Sequence, residues 1–190
     1  MVKNMYEKME ELIEQIKNCN KCKLCNTRQN IVFGCGNVNA NLMFIGEGPG
    51  ADEDMQGEPF VGKAGKLMNN AFDIVGIKRE DVYIANIVKC RPPNNRDPEQ
   101  DEVASCINYL RNQVMIIKPK IIVLLGRIAL TNILGQDYKI TASRGNWVEK
   151  KGIQYMPTWH PAALLRDETK KIDFINDLKE VVNWDALFWP

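Results

Sequence analysis

Cysteine is the residue type whose spacing in this sequence most directly suggests chemistry. Three of the six cysteines lie in the segment CNKCKLC at residues 19–25, and the others are Cys35, Cys90 and Cys106. A C-x-x-C pair with Cys90 and Cys106 supplies four thiolates, the number that a tetrahedral zinc ion or a cubane iron–sulfur cluster requires. Structural zinc sites commonly use two tight pairs, so the wide spacing of the second pair favours a cluster. The two spare cysteines are expected to be inert thiols.

Two further polar residues stand where an amide or an imidazole could act on a substrate. Asn86 lies near the end of the apolar segment VYIANIV (residues 82–88), a position that disfavours asparagine unless its side chain has a function. A capping asparagine is an equally good local interpretation. His160 is the only histidine of the chain and follows another apolar segment in the sequence WHPA.

The segment GEGPGADED at residues 46–54 combines a glycine-rich turn with four carboxylates. It fits the relaxed dinucleotide pattern G-x-G-x-x-G/A, which receives a pyrophosphate on the amides of a helix N-terminus. Here Pro49 removes one amide, the acidic residues repel phosphate, and Gly57 and Pro59 are expected to delay the next helix. A nucleotide-dependent oxidoreductase is therefore a weaker alternative, and a tight turn with a solvated acidic loop is the plain structural one.

Short apolar segments that alternate with helical patterns must position these residues. The predicted strands are residues 41–46, 82–88, 120–126 and the segment IQYMPT after a hairpin at 149–152. The predicted helices are an N-terminal one, residues 62–76, a long one with Asp97 as N-cap, a short one ending at Leu134, and one over roughly 170–183. The first helix should bury one face formed by Met5, Met9, Leu12, Ile13 and Ile16.

This alternation predicts the α/β fold class. We expect a single-domain, three-layer α/β/α sandwich over residues 1–190, with a central, mostly parallel four-stranded sheet and an N-terminal cluster-binding helix and loop. In such sheets, ligands bind beyond the carboxyl ends of the strands. The segments that end or follow the strands, which include Asn86 and His160, should therefore form the site.

Composition limits the function classes. The 190 residues fit one domain, and 25 basic against 24 acidic residues give no sign of a nucleic-acid partner. No apolar segment has transmembrane length, and the amphipathic N-terminus is not a signal peptide. We therefore expect a cytoplasmic protein, a compartment in which clustered cysteines bind metals more often than they form disulfides.

Three segments, in this order, resemble motifs of the family-4 uracil-DNA glycosylases, the iron–sulfur branch of that superfamily. They are GEGPGADEDMQGEPFVGKAG (46–65), VYIANIVKCRPPNNRDP (82–98) and WHPAALLR (159–166). The related family-5 enzymes have motifs that resemble GLAPA and HPS at the positions where this chain has GEGPG and HPA. The resemblance implies base flipping and hydrolysis of the N-glycosidic bond of uracil in DNA, with release of free uracil and an abasic site. A family-5-like enzyme of broader base range and a non-catalytic iron–sulfur DNA-binding module are the alternatives.

The resemblance also implies a cofactor, a [4Fe–4S] cluster with an architectural role. Its ligands are expected to be Cys19, Cys22, Cys90 and Cys106. Cys22 with Cys25 is the alternative first pair, because its spacing is identical.

In the base pocket, the resemblance makes Phe60 the stacking platform and Asn86 the residue that reads uracil O4 and N3–H. His160 is expected to donate a hydrogen bond to uracil O2, where negative charge grows as the base leaves. The turn residues expected to bind the base are Glu47, Gly48 and Pro49, of which Pro49 has no amide to give.

The residue that positions the water stays open at this point. Another branch of the superfamily has an aspartate where this chain has Gly48 and a thymine-blocking tyrosine where it has Gly50. The candidate carboxylates here are Glu47, Glu53 and Asp54, and no residue is assigned to thymine exclusion.

DNA contacts are expected from the segment WHPAALLR. Leu164 or Leu165 should fill the space left by the flipped base, and Arg166 should hold a phosphate. Further candidate phosphate contacts are Lys63, Lys66, Lys89 and Arg91. The implied partner is uracil-containing DNA, single- or double-stranded, with no membrane; we expect a monomer associated with the nucleoid.

Overall fold

Six strands form one sheet within the described residues. The computed structural model describes residues 4–188, with side chains through residue 184, so residues 1–3 and 189–190 of the predicted domain lie outside it. The strands are β1 (Cys35–Gly36), β2 (Leu42–Gly46), β3 (Tyr83–Asn86), β4 (Ile121–Leu125), β5 (Val148–Lys150) and β6 (Ile153–Thr158).

The strand order is β1-β3-β2-β4-β6-β5. The four central strands are parallel, and both edge strands pair antiparallel with their neighbours. The predicted α/β fold with a mostly parallel sheet is confirmed, and the predicted four strands are the central ones. The two additional strands have two and three residues, too short for a periodic pattern, so only pairing with a neighbour defines them.

In the part of the chain that the structure describes, eight α-helices cover the two faces of the sheet. They are α1 (Met5–Ile16), α2 (Ala51–Gln56), α3 (Lys63–Val75), α4 (Gln100–Ile117), α5 (Gly126–Ile133), α6 (Ile140–Ser143), α7 (Pro161–Arg166) and α8 (Lys170–Phe188). Residues of α1, α4 and α5 share one core with Met43 and Ile45 of β2. Residues of α3, α7 and α8 share the other with Leu42 and Phe44. Successive residues of β2 thus face opposite cores, as in any strand buried on both sides.

The N-terminal helix buries a narrower face than predicted. Met9, Leu12 and Ile16 are buried, but Met5 is 36% and Ile13 42% exposed. Helix α1 packs against α4, and a single helix neighbour covers only one stripe of its surface.

The long helix α4 begins two residues later than predicted. Its N-cap is Glu99, whose amide bonds the Glu102 carboxylate at 2.8 Å. Asp97 does not cap the helix, because its carboxylate pairs with Arg127 of α5. The buried Glu102 also receives two hydrogen bonds from Arg96, at 2.9 and 2.7 Å. A local capping box formed by Glu99 and Glu102 therefore replaces the predicted cap at Asp97.

Within the part of the chain that the structure describes, none of the helices has both the length and the apolar character needed to span a lipid bilayer.

Candidate active site and cysteine cavity

A cleft of about 630 Å³ opens at the carboxyl edge of the parallel sheet. Its lining comes from the segments after all four parallel strands, including Glu47 after β2, Asn86 at the end of β3, Gly126 after β4 and His160 after β6. The sheet register places Gly46 opposite Asn86, so the turn after β2 and the end of β3 meet in the cleft. The predicted position of the site beyond the strand ends agrees with this geometry.

Two glycines allow Phe60 to lie against the strand ends. A Cβ on Gly46 would lie 2.5 Å from Asn86 Oδ1 and 2.6 Å from Phe60 Cζ. A Cβ on Gly65 of α3 would lie 1.9 Å from the carbonyl oxygen of Phe60. Phe60 itself adopts a φ of 55°, an uncommon value for a residue with a bulky side chain. These close approaches fix the aromatic ring in the wall of the cleft.

The side chain of Asn86 is almost completely buried, with 2% exposure. Within residues 4–184, its Oδ1 is the one fully buried side-chain nitrogen or oxygen without a hydrogen-bond partner. Leaving such an acceptor unpaired costs about 1–3 kcal/mol. Because the residue lines the cleft, a bound molecule with an N–H group can satisfy it.

His160 caps helix α7 and presents one ring nitrogen to the cleft. Its Nδ1 accepts a hydrogen bond from the amide of Ala162 at 3.1 Å, so the neutral ring carries its proton on Nε2. Burial, together with the charge of Arg166, lowers the pKa of His160 to about 4. The ring lies 5.7 Å from that of Phe60, centroid to centroid. His160 is therefore a neutral donor at physiological pH.

Glu47 is a half-buried carboxyl group in the cleft. Burial is the main cause that raises the pKa of Glu47 to about 7; Asp97 raises it further, and Arg127 and Arg166 oppose the shift. No hydrogen bond to this carboxyl group comes from the described residues. A carboxyl group with free oxygens and a pKa near neutrality is suited to act on water or on a developing cation.

The other two predicted carboxylates are bound to backbone amides. Glu53 accepts hydrogen bonds from Gly50, Val61 and Gly62 at 2.8–3.1 Å. It lies at the cleft, where it occupies the space that a side chain at Gly50 would need.

Asp54 lies behind the cleft and joins two segments of the chain. It is 2% exposed and accepts from the amides of Gln29 and Asn30 at 3.0–3.2 Å. The acidic segment is thus not a solvated loop, because helix α2 begins at Ala51 with Gly50 as its N-cap. The expected delay of this helix is wrong, since Gly57 ends α2 in a left-handed conformation and does not precede it.

The segment after His160 separates the two leucines. Leu164 is 1% exposed and packs in the core with α3 and α8, whereas Leu165 is 49% exposed. Arg166 is exposed and lines the cleft. Of the two leucines, Leu165 is therefore the one whose side chain is accessible from outside the protein.

The four predicted ligand cysteines line one small cavity between α1, α4 and the segment after β3. Arg28 donates to Cys90 Sγ at 3.5 Å, and the amide of Lys89 donates to Cys106 Sγ at 3.3 Å. Cys25 does not line this cavity and donates instead to Asn26 Oδ1 at 3.3 Å. Cys35 lies elsewhere, beside Arg79 and Glu58.

The donor set of this cavity fits a metal cluster. Burial raises the pKa of the Cys90 thiol to about 11 and also raises that of Cys106, and bound metal is what converts such thiols to thiolates. Among the described residues, no three cysteine, histidine or acidic side chains are grouped closely enough to hold one metal ion. In a cubane each cysteine binds a different iron, which allows wider separation than a single zinc ion does.

One expected phosphate contact is wrong. Lys89 is 0% exposed, so its ammonium cannot reach DNA, whereas Lys63 and Lys66 are exposed and Arg91 is half-buried. One signal in the sequence was missed, a glutamine on the apolar face of the predicted long helix. That residue, Gln113, is the buried partner of Lys89.

Comparison with known proteins agrees with the motifs. The profile described as the uracil DNA glycosylase superfamily matches residues 33–183. The Type-4 uracil-DNA glycosylase of Thermotoga maritima is 45% identical over 178 residues, 93% of this chain and 90% of that protein. The Type-4 uracil-DNA glycosylase of Archaeoglobus fulgidus is 41% identical over 183 residues, 92% of each. A Type-5 uracil-DNA glycosylase of Pyrobaculum aerophilum is 27% identical over 188 residues, 82% of this chain and 83% of that protein.

Proposed function

The chain belongs to the uracil-DNA glycosylase superfamily and acts as a DNA-repair glycosylase; we propose that it flips uracil out of DNA and hydrolyses its N-glycosidic bond, leaving an abasic site. The observation that carries this proposal is the unpaired, buried Oδ1 of Asn86 in a cleft that also holds Phe60 and a neutral His160. A flipped base needs an edge-reading amide, a ring to stack on and a donor for the leaving group. These three side chains supply them.

Asn86 reads the base edge in this proposal. Its Oδ1 accepts from uracil N3–H, and its Nδ2 donates to O4. Cytosine presents an acceptor at N3 and a donor at N4, so both contacts become unfavourable. The fixed amide therefore selects uracil over cytosine.

His160 stabilises the leaving group. The Nε2 proton is available because Nδ1 is held by the Ala162 amide, and it donates to uracil O2. Charge builds on that oxygen as the glycosidic bond breaks, so the hydrogen bond strengthens in the transition state. Gly48 and Pro49 complete this wall of the cleft.

Glu47 positions the water or stabilises the cationic sugar. It is preferred over Glu53 and Asp54, because both of these carboxylates are bound to backbone amides. Glu53 instead stabilises the wall of the cleft that carries Phe60, because it accepts hydrogen bonds from the amides of Val61 and Gly62, the two residues after Phe60. Asp54 ties this wall to the N-terminal loop.

The rate as a function of pH tests the assignment of Glu47. With a pKa of about 7, this carboxyl group is neutral below and ionised above that pH, so the single-turnover rate should rise through pH 7 and then level off. His160 is neutral across this range, because its pKa is about 4. Glu47→Gln should be several-fold slower and lose the rise. Burial also lowers the pKa of Lys89 to about 7, so a rise that persists in Glu47→Gln would reassign the titration and contradict the role of Glu47.

DNA binding is proposed to place Leu165 in the vacated stack and Arg166 on a phosphate. Apolar insertion of this kind holds a duplex open. The partner is uracil-containing DNA in either single- or double-stranded form, and we propose that one domain acts as a monomer on nucleoid DNA in the cytoplasm.

Truncation of the inserting leucine should affect duplex and single strands differently. Leu165→Ala should slow excision from duplex DNA several-fold more than from single strands, because only the duplex must be kept open. The matched control is Leu164→Ala, which truncates the neighbouring core leucine. It should lower the free energy of unfolding by about 2–5 kcal/mol through lost packing. Equal rate losses on both substrates for Leu165→Ala would count against insertion.

We also propose that Cys19, Cys22, Cys90 and Cys106 hold a [4Fe–4S] cluster. Their shared cavity and their buried thiols support it, and the position of Cys25 outside the cavity favours Cys19 with Cys22 over Cys22 with Cys25. When bound, the cluster supplies iron–sulfur bonds that cross-link the N-terminal loop to the segment after Asn86. Its role is architectural, and hydrolysis needs no electron from it.

Single cysteine variants test the cluster. Anaerobically purified protein should absorb broadly near roughly 400 nm, as thiolate-ligated iron does. Cys106→Ser and Cys19→Ser should lose that absorbance and much of their stability, whereas Cys25→Ser and Cys35→Ser should keep both. Stoichiometric zinc in colourless protein, or a Cys25→Ser variant that alone loses the absorbance, would overturn the assignment.

Uracil release measured on single-stranded and duplex oligonucleotides tests the function itself. A glycosylase that excises only uracil should release uracil and leave matched strands that carry thymine, cytosine or hypoxanthine intact. Release of several bases would favour the family-5-like alternative. DNA binding without release of any base would favour the non-catalytic module.

A further inference from the structure

Lys89 is an entirely buried lysine that no step proposed above uses. Its exposure is 0%, and no carboxylate of the described residues pairs with it. Its ammonium instead donates to the backbone carbonyl of Asn86 at 3.0 Å and to Oε1 of Gln113 at 2.7 Å. The ring of Phe33 lies 5.9 Å from the same nitrogen. A buried amino group is stable only where such acceptors replace the water that would otherwise accept from its N–H groups.

The side-chain amide of Gln113 is itself held in one orientation, with its oxygen toward the amino group of Lys89. It projects from the buried face of α4, and its Nε2 donates to the carbonyl oxygen of Phe33 at 2.9 Å and to the hydroxyl of Tyr83 at 3.0 Å. These two acceptors leave only one orientation of the amide, with Oε1 toward Lys89. The network thus joins helix α4, strand β3 and the loop before β1.

The backbone around Asn86 is held from two sides. The amides of Ile87 and Val88 donate to the carbonyls of Gly46 and Glu47 at 3.0 and 3.1 Å, which attaches this segment to the turn after β2. On the other side, Lys89 binds the Asn86 carbonyl. The unpaired Oδ1 of Asn86 therefore extends from a backbone segment that is hydrogen-bonded on both sides.

We propose that Lys89 is a positioning residue that, with Gln113, fixes the backbone of Asn86 so that its amide meets the uracil edge in one orientation. Lys89 acts through Asn86 and touches neither the base nor the DNA. The proposal rests on the base-reading role of Asn86 given above. It follows from the physical requirement that a preorganised amide be held to a fraction of an ångström if its hydrogen bonds are to favour one base.

Lys89→Met removes the ammonium but keeps an unbranched side chain of similar length. The single-turnover rate of uracil release should fall about tenfold, the effect of a small loss of alignment. Affinity for uracil-containing duplex DNA should stay within about twofold of the parent, because the buried side chain contacts no phosphate. Leu110→Ala, which removes apolar atoms from the same helix α4 (Leu110 is 1% exposed), is the control for lost stability and should retain the parental rate below its unfolding temperature.

A double-mutant cycle with Asn86→Ala decides whether Lys89 acts through Asn86. In that background Lys89→Met should cause almost no further loss of rate, because the amide that it positions is absent. Fully additive losses, or a Lys89→Met variant that binds DNA weakly but reacts at the parental rate, would overturn the proposal. If Asn86→Ala alone reacted at the parental rate, the base-reading role would fail instead.

Should Lys89→Met fail to fold, Gln113→Leu offers a second test. It removes the partner that orients the ammonium and leaves the bond from Lys89 to Asn86 possible, so the rate should fall by less than in Lys89→Met. A folded Gln113→Leu variant with the parental rate would overturn the positioning role.

Discussion

Asn86→Asp should lower the rate of uracil excision at least about tenfold while the protein stays folded. At about pH 8 an aspartate is normally ionised, and it then places an acceptor against uracil O4, which is also an acceptor. A lost hydrogen bond with a group left unpaired in a buried site costs about 1–3 kcal/mol, and more when the group is charged. The change is nearly isosteric, so the end of β3 keeps its shape.

The same substitution should change which base is tolerated. The carboxylate accepts from cytosine N4–H₂, so weak cytosine release is expected where the parent protein shows none. The measurement is a pair of excision rates on matched strands that carry uracil or cytosine. Asn70→Asp, at an exposed position of α3, is the control for the added charge and should match the parent. A folded Asn86→Asp variant that excises uracil at the parental rate would remove Asn86 from the site.

His160→Ala should reduce the single-turnover rate by about 10²–10³-fold, the usual effect of removing one donor to a developing negative charge. The Nε2 proton is the contact that is lost, and binding of uracil-containing DNA should change far less than the rate. This split is expected because the hydrogen bond to O2 is stronger in the transition state than in the bound substrate.

His160→Asn separates catalysis from helix capping. His160 also caps α7 through its Nδ1, so alanine removes two contacts at once. Asparagine is a good N-cap residue, and it should preserve the thermal stability of the protein but not the rate, because its shorter amide cannot replace the Nε2 donor. Were His160→Asn as fast as the parent, His160 would be a capping residue only.

The order of strands and helices was predictable from the sequence because it depends on local patterns. Continuous apolar segments that alternate with helical ones predict a parallel sheet covered on both faces, and the ends of those segments located Asn86 and His160. Gly76 ends α3 as predicted. Three motifs in a fixed order were specific enough to indicate the family.

Choices between equivalent neighbours needed the tertiary structure. The sequence offered three candidate carboxylates within one segment. Only the fold shows that amides of other segments bind Glu53 and Asp54 and leave Glu47 without such a bond. It also offered two adjacent leucines, of which helix packing buries Leu164 and exposes Leu165.

Lys89 is the plainest case of what the sequence alone could not decide. A lysine beside a proposed DNA-binding loop is usually solvated, yet this one is completely buried between Asn86 and Gln113. Its partner lies 24 residues away in the chain, and the two meet only because α4 packs on the same core as β3. Motifs and periodicity record what a residue is and what lies near it in sequence, so they determined the fold class and the candidate groups. Burial and hydrogen-bond partners depend on contacts between distant segments, so the tertiary structure decided which of those groups are free to react and which hold the others in place.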